Sequence, residues 1–406
     1  MGLIIGLDIH RTFAEAVVWE DGRLNGMGRV EMTRTGLEAF GGRLDAGCEV
    51  VIEATGNAMA VARVLTPFVS RVVIANPLQV KAIAHAHVKT DKIDAGVLAR
   101  LRAAGFLPEV WVPDAATERR RRLAARRNQI VRQRTRLKNE VQSILHAHLI
   151  PPCPHADLAG LSGRRWLCSQ PLPADEQQAV ERALRELDRL ADDLEVLDRQ
   201  IAEDALNHAG VQRLMTLPGV DVCVASGLVA AIGEISRFST AEKLVSYLGL
   251  NPRVRQSGLG PAKHGRISKA GRAHARALLV EAAWSAARSP GPLRAFFLRV
   301  RAKRGDKIAA VATARKLSVL AWHLLASQTD YLWARPSLVA SKMRRLELTA
   351  GRPKAQGKRG SASAYNNKTL RAQEMLIAVK AEQAYAHFTG QWRTRGARAP
   401  HAGRTV

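Results

Sequence analysis

Short apolar runs alternate with polar turns over the first hundred residues of the chain. Glu20-Asp21-Gly22 stands between two such runs and is typical of a hairpin turn. The pattern predicts strands at residues 3–9, 13–19, 23–31, 49–54 and 71–75, with helices around residues 37–44 and 58–65. We therefore expect three strands joined by hairpins, followed by two β-α units.

Isolated carboxylates stand at the ends of two of these strands. Asp8 ends the first apolar run, and Glu53 ends the fourth. A meander of three strands followed by β-α units is the order in which ribonuclease H-like domains are built, and it brings Asp8 and Glu53 to neighbouring strand ends.

Two more carboxylates follow in Lys89-Thr90-Asp91-Lys92-Ile93-Asp94-Ala95. Asp91 and Asp94 lie three residues apart, so they share one face of a helix predicted at residues 91–103. Carboxylates held close together repel one another unless a cation neutralises them, which indicates a Mg²⁺ site with oxygen ligands. Alternatively, Asp91 and Asp94 only favour the helix N-terminus, or pair with the flanking lysines.

Two long helices are predicted in the middle of the chain. The first, from residue 117 to about 149, is rich in arginine with an apolar stripe, and Pro151-Pro152-Cys153-Pro154 ends it. The second, about residues 174–208, repeats leucine and isoleucine at three-to-four spacing. The pair indicates an antiparallel coiled-coil arm that could dimerise, or a helical bundle within one subunit.

The remainder of the chain is predicted to be mostly helical. Leu217-Pro218-Gly219-Val220 resembles a helix-hairpin-helix element, in which Gly219 would offer a backbone amide to phosphate. Further helices are expected around residues 270–287 and 305–325. Residues 334–406 are rich in Arg, Lys, Gly and Ser, which predicts a largely disordered basic tail with a short helix near 370–385.

These segments predict an α/β plus α fold class with four parts: an α/β domain at 1–112, the helical arm at 113–209, a mostly helical domain at 210–333, and the tail at 334–406. The net charge of +26 and the pI near 11.0 favour a polyanionic partner. A basic surface without such a partner is the alternative.

The four cysteines are scattered without a C-x-x-C pair, which fits a reducing cytoplasm and makes a zinc ribbon or a disulfide scaffold a poor expectation. No signal peptide is expected at the N-terminus. Charged residues interrupt the apolar stretches near 275–287 and 308–326, so we expect buried helices there and no membrane partner.

A possible nucleophile lies in Gln256-Ser257-Gly258, on a polar loop. Cations that could meet a phosphate surround it: Arg253, Arg255, Lys263, His264 and Arg266. A serine hydroxyl is a weak nucleophile, so attack would need these cations or a metal on the scissile phosphate. By the residues alone, a Ser-Gly pair in a loop is more often only a turn, and the charges are as often solvated.

The chain resembles the insertion-sequence-110 transposases, the DEDD-type enzymes related to pilin-gene invertases. The resemblance spans about residues 3–330. It rests on Gly6-Leu7-Asp8-Ile9-His10, Ile52-Glu53-Ala54-Thr55-Gly56, the 89–95 motif, Leu217-Pro218-Gly219-Val220, Ile232-Gly233-Glu234, Arg237-Phe238, Tyr247-Leu248-Gly249-Leu250-Asn251-Pro252, Gln256-Ser257-Gly258 and Ile267-Ser268-Lys269-Ala270-Gly271.

This resemblance implies a RuvC-like domain in which Asp8, Glu53, Asp91 and Asp94 bind Mg²⁺, with Mn²⁺ as a possible substitute. It implies that Ser257 attacks DNA and forms a covalent phosphoserine link. It further implies donor and target DNA as substrates, an RNA guide encoded by the element, and homodimers or tetramers with composite active sites. Such an enzyme would work at the nucleoid in the bacterial cytoplasm.

Two other functions remain open at this level. A RuvC-like nuclease would hydrolyse junction DNA with water activated by metal, and Ser257 would then be structural. A non-catalytic relic of a mobile element would keep only the charge and the fold. The chain has no G-x-x-x-x-G-K-[ST] loop, so no ATP-driven step is expected.

Overall fold

A five-stranded sheet forms the centre of the first of two structural units. The computed structural model describes residues 3–83, 90–258, 260–353 and 366–395, and the chain divides into Met1–Asp114 and Ala115–Val406. The strands of the first unit are β1 (Ile4–Ile9), β2 (Phe13–Glu20), β3 (Arg23–Glu31), β4 (Glu49–Glu53) and β5 (Arg71–Ala75). Its helices are α1 (Arg34–Gly41), α2 (Ala58–Leu65), α3 (Pro77–Ile83) and α4 (Asp91–Ala103).

The sheet order is β3-β2-β1-β4-β5, with antiparallel pairing among β1 to β3 and parallel pairing of β1 with β4 and of β4 with β5. The predicted meander and the two β-α units are therefore confirmed. Lys89 and the five residues before it lie outside the described residues.

Both faces of this sheet are covered, so the central strands are apolar on both sides. Ile5 and Leu7 of β1 pack with α1 and α2 in one cluster that includes Phe40 and Leu65. On the other face, Val51 and Val73 pack with Leu98 of α4.

Helix α4 lies directly on the backbone of β1 at Gly6. A Cβ atom placed on Gly6 would overlap the carbonyl oxygen of Ala95 and lie 2.9 Å from its carbonyl carbon. At the other end of α4, the guanidinium of Arg102 donates two hydrogen bonds to Glu49, at 2.5 and 3.0 Å. The helix is thereby held at its middle by a close backbone approach and at its C-terminus by an ion pair to β4.

Replacing Gly6 with alanine should destabilise the first unit, because backbone atoms of α4 cannot yield as a flexible side chain can. We expect Gly6→Ala to lower the free energy of unfolding by about 2–3 kcal/mol. Gly42→Ala is the matched control, since its Cβ would be 3.5 Å from the nearest atom and its φ is −64°. Urea denaturation of the two variants measures the difference, and equal stabilities would contradict the close approach.

The Glu49–Arg102 pair predicts a pH-dependent stability. The hydrogen bond from Arg102 is the main cause that lowers the pKa of Glu49 below its ordinary value. The pair therefore contributes fully above the ordinary pKa of about 4.3 and is lost as the pH falls through the lowered pKa. Glu49→Gln should cost about 1 kcal/mol at neutral pH and clearly less at an acidic pH below the ordinary pKa of about 4.3.

Denaturation at the two pH values measures this cost. Glu38→Gln is the control, because Arg34, the partner of Glu38, has a side chain that is 81% exposed. A cost for Glu49→Gln that persists in acid would show that lost packing, and not the ion pair, is responsible.

Two 33-residue helices, α5 (Ala115–Ala147) and α7 (Ala174–Leu206), pack side by side in the second unit. Their ion pairs run in opposite chain directions: Arg120 with Asp204 at 2.8 Å and Arg127 with Asp198 at 2.5 Å. The short helix α6 (Leu161–Cys168) packs with both in a small apolar cluster around Val141. The helices are thus antiparallel.

The rest of the second unit is a helical core with one small hairpin. It contains α8 (Ala209–Met215), α9 (Val222–Ile232), α10 (Ala241–Tyr247), β6 (Pro252–Arg255), β7 (Lys263–Ile267), α11 (Ala273–Ala286), α12 (Pro292–Arg304) and α13 (Asp306–Ser327). By length and composition α13 could cross a membrane, but it packs against α8, α10 and α11, which accounts for its apolar residues.

The tail differs in part from the expectation of a largely disordered segment. The helix expected near 370–385 is confirmed and is longer, and a second helix lies before it. Helices α14 (Pro336–Thr349) and α15 (Lys368–Arg395) both pack into the fold. The buried carboxylate of Glu374 on α15 accepts hydrogen bonds from the backbone and hydroxyl of Ser337, at 2.9 and 2.5 Å. Composition did not reveal this specific contact. The Gly-, Lys- and Ser-rich residues 354–365 and the last eleven residues lie outside the described part of the chain.

Candidate functional site

The sheet of the first unit brings Asp8 and Glu53 to adjacent positions on one face. Leu7 pairs with Ile52 in parallel register, so Asp8 and Glu53 follow side by side. Asp8 lies two residues after Gly6, and therefore points to the face that α4 covers. Both carboxylates are half-buried.

Helix α4 begins at the same edge of the sheet. Thr90 caps it by accepting a hydrogen bond from the backbone N–H of Ile93, and Asp91 is its first residue. This cap fixes the start of the helix, so Asp91 reaches the end of β1.

The structure brings Asp8, His10 and Asp91 together. One ligand atom from each lies within 4.8 Å of the others. Nε2 of His10 is 3.5 Å from the carboxylate of Asp8 and 3.3 Å from that of Asp91. The His10 ring packs on Phe13, with ring centroids 4.8 Å apart.

Glu53 and Asp94 are not part of this three-residue cluster. Both are half-buried: Glu53 lies beside Asp8 on the sheet, and Asp94 lies three residues after Asp91 on α4. Of the four predicted carboxylates, the geometry therefore joins Asp8 and Asp91. The role of Glu53 and Asp94 as ligands stays a prediction.

Sequence reasoning missed His10 as a member of the cluster. The signal was present, because His10 lies two residues after Asp8 and alternation along the strand direction carries both to one side.

This donor set fits a divalent cation. Carboxylate oxygens are the ligands that Mg²⁺ prefers, and Mn²⁺ also accepts an imidazole nitrogen. Side chains that are 20% exposed for Asp8 and 41% exposed for Asp91 leave room for water or a phosphate oxygen on the ion.

Replacing either clustered carboxylate should weaken metal binding. We expect Asp8→Asn and Asp91→Asn each to lower the affinity for Mn²⁺ at least about tenfold, which is about 1.4 kcal/mol, because each removes a charged ligand. Titration calorimetry and the electron paramagnetic resonance of Mn²⁺ measure the affinity. Asp21→Asn is the control, since Asp21 is exposed in a turn at φ 44°, a conformation that asparagine tolerates. Unchanged affinity in both variants would remove the cluster from consideration as a metal site.

Ser257 lies at the tip of the hairpin that β6 and β7 form. The register pairs Pro252 with Ile267 and Arg255 with Lys263. Ser257 is exposed, and Gly258 after it has a φ of +57°, which suits a sharp turn. Leu259 and the side chain of His264 are outside the described part of the structure.

The hairpin carries four exposed cations: Arg253, Arg255, Lys263 and Arg266. No ion pair joins any of them to an acidic group of the described residues. Arg255 stands directly across from Lys263. Like charges opposite each other in a ladder are unfavourable, so this arrangement favours an anionic partner.

The turn that contains Gly219 is fixed by packing. Gly219 has a φ of +80°, and a Cβ atom there would lie 2.8 Å from the backbone nitrogen of Ala286 on α11. Nζ of Lys342 donates hydrogen bonds to the carbonyls of Met215, Leu217 and Val220 at 2.7–2.8 Å.

Burial lowers the pKa of Lys342 to about 8, and its three donated bonds use all three protons of the ammonium. The positive φ and the close approach to α11 require glycine at position 219 whether or not a phosphate binds there. A phosphate contact at Gly219 stays a prediction.

Two family profiles match separate parts of the chain. Residues 5–150 match a DEDD-type IS110 transposase profile, and residues 211–298 match the profile described as transposase IS116/IS110/IS902 family.

A Pseudomonas aeruginosa protein named "Probable family 20 transposase" is 30% identical over 294 residues, covering 70% of this chain and 86% of the relative. The transposase for insertion sequence element IS1111A of Coxiella burnetii is 27% identical, covering 71% and 80%. The pilin gene-inverting protein of Moraxella bovis is 28% identical, covering 57% and 64%.

Proposed function

Because this chain belongs to the IS116/IS110/IS902 family of transposases and is thus a DNA-recombining enzyme, we propose that it exchanges DNA strands through a covalent phosphoserine link at Ser257. The observation that carries the proposal is that the chain holds two features, one in each unit. One is the Asp8–His10–Asp91 cluster, and the other is an exposed serine on a hairpin whose cations make no ion pair with a described residue.

The chemistry divides between these residues. Asp8 and Asp91, with Glu53 and Asp94 as further ligands, hold a divalent ion, Mg²⁺ or Mn²⁺, in a RuvC-like domain at residues 1–112. A bound ion would neutralise charge on the scissile phosphate and favour ionisation of an attacking hydroxyl. The partial exposure of the cluster admits a phosphodiester.

Ser257 supplies the nucleophile. Its oxygen bonds to phosphorus while the bond from phosphorus to one deoxyribose oxygen breaks, which leaves a free hydroxyl on that sugar. The phosphoserine conserves the energy of the broken phosphodiester, so resealing needs no ATP. Arg253, Arg255, Lys263 and Arg266 stabilise the charge that develops on the phosphate or hold the neighbouring backbone.

The long helices indicate which arginines are free to bind nucleic acid. Asp204 and Asp198 of α7 neutralise Arg120 and Arg127. Arg126, Arg132 and Arg136 are exposed and have no ion pair with a described residue. They leave cations on α5 that suit contact with a phosphate backbone without reading its sequence.

Guidance by an element-encoded RNA belongs to the proposal, and the family resemblance supports it. Base pairing would then select the donor and target DNA, while the protein recognises charge and shape. Homodimers or tetramers joined through the arm at 113–209, with the transposase domain at 210–333, complete this proposal. Action at the nucleoid in the cytoplasm follows from DNA as substrate. The gene-inverting relative suggests inversion as a second outcome of the same chemistry.

Removal of the Ser257 hydroxyl should abolish the covalent link. With Mg²⁺, flanking RNA of the element, and labelled donor and target DNA, the wild type should form label that migrates with protein on a denaturing gel. Ser257→Ala should form none, a loss of at least about a hundredfold, and EDTA should prevent adduct formation by the wild type.

Ser239→Ala is the matched control, because Ser239 is an exposed loop serine of the same unit. Cleaved DNA from the wild type and Ser257→Ala alike, with no adduct, would instead assign hydrolysis by a metal-dependent nuclease. Binding without any cleavage, in the wild type and in Asp91→Asn equally, would indicate a non-catalytic protein.

A further inference from the structure

The segment between β7 and α11 is held in a backbone conformation that a side chain disfavours. Lys269 has a φ of +57°, in the left-handed region, where glycine is the usual residue. Its backbone N–H donates to the carbonyl of Gly249 at 3.1 Å, and that of Ser268 donates to Asn251 at 2.8 Å. The fold therefore imposes this conformation on residues 268–272, which we call the 268–272 turn.

A close backbone contact makes the turn rigid. Gly271 has a φ of +130°, and a Cβ atom there would overlap the carbonyl oxygen of Tyr247 and lie 3.0 Å from its carbonyl carbon. Glycine would suit the left-handed backbone at position 269 as well, yet the chain carries lysine there. The Lys269 side chain is exposed and makes no ion pair with a described residue, so its charge serves nothing within the described fold.

Arg272, three residues later, is held in place by Tyr247. Its Nε donates to the Tyr247 hydroxyl at 2.8 Å, and that hydroxyl donates to the carbonyl of Ala231 at 3.2 Å. The guanidinium of Arg237 lies 4.4 Å above the Tyr247 ring. Arg272 is exposed, and its two terminal nitrogens have no partner among the described residues.

The surroundings of Tyr247 are strongly positive. Burial acts to raise the pKa of its hydroxyl, yet the charges of Arg272, Arg237 and Arg121 together hold that pKa below its ordinary value. An anion that approaches the 268–272 turn therefore meets a fixed guanidinium, an exposed ammonium and a positive field, and the fold has already positioned Arg272.

We propose that Lys269 and Arg272 form a binding site for a phosphate of the DNA backbone. This inference rests on the proposed function only in that DNA is the substrate. The site lies at the base of the β6–β7 hairpin, which carries Ser257 at its tip, since a terminal nitrogen of Arg253 on β6 lies 3.4 Å from the carbonyl oxygen of Ser268. The four residues of β6 span about 13 Å, so the pair holds a phosphate other than the one that Ser257 attacks. Lys269 and Arg272 are binding residues, and Tyr247 is a positioning residue.

The experiment measures binding of the full-length protein to a fluorescent DNA duplex by anisotropy, at several salt concentrations. Lys269→Gly removes the amine but suits the left-handed backbone. We expect about tenfold weaker binding, a salt slope reduced by about one, and a melting temperature no lower than that of the wild type. Arg272→Gln should behave alike in binding, and Lys269→Arg should retain most of the affinity.

Tyr247→Phe tests the positioning role. It keeps the ring under Arg237 but removes the hydroxyl that holds Arg272, so binding should weaken with a smaller change in salt slope than for Arg272→Gln. Lys303→Gln is the control, because Lys303 is an exposed lysine on α12 and should leave affinity unchanged.

Wild-type affinity and salt slope in both Lys269→Gly and Arg272→Gln would overturn the inference. A loss confined to RNA of the same sequence would also overturn it, and would assign the turn to RNA. The covalent-adduct assay is run in parallel on the same variants. If Ser257 forms no adduct, the proposed chemistry fails while the binding result stands. If the adduct forms but binding is unaffected, the phosphate site alone fails.

Discussion

The direct contact between the backbone of α4 and that of β1 is the constraint on which the candidate metal site depends. Only glycine at position 6 lets the carbonyl of Ala95 come so close to the strand. With α4 held at this contact, its first turn, which begins with Asp91, lies at the end of β1, where Asp8 stands. The carboxylates are thus brought together by the packing of elements that themselves contain no charge at the point of contact.

Much of the first unit could be predicted from the amino-acid sequence. The strands of the first unit follow from strict apolar runs between turn residues, and their order is what such runs predict. Asp8 and Asp91 could be placed together because one ends a strand and the other begins a helix. His10 could have been found as well, because it lies two residues after Asp8, on the same side of the strand. Its contact with Asp91, in contrast, depends on the packing of α4, which no local pattern encodes.

The tail and the Gly219 turn show what the sequence alone does not reveal. A charge-rich, glycine-rich composition suggests disorder, yet two helices pack into the fold there. Buried hydrogen bonds, such as those that Glu374 accepts from Ser337, stabilise this packing, and composition does not reveal them. The motif around Gly219 suggests a phosphate ligand, whereas a close approach to α11 and a buried lysine already account for the glycine. A glycine in such a turn serves packing as readily as phosphate, and only its three-dimensional neighbours distinguish the two.

The same device recurs in the second unit, with an opposite electrostatic result. Gly271 lets the 268–272 turn lie on the backbone of Tyr247, as Gly6 lets α4 lie on β1. In the first unit the close approach gathers negative charge. In the second it holds Arg272 near Arg237, which gathers positive charge. Under the proposed function, a divalent ion would neutralise the carboxylates of the first unit and a DNA phosphate the cations of the second. The unfavourable charge that each close contact creates is the physical argument for both proposed sites.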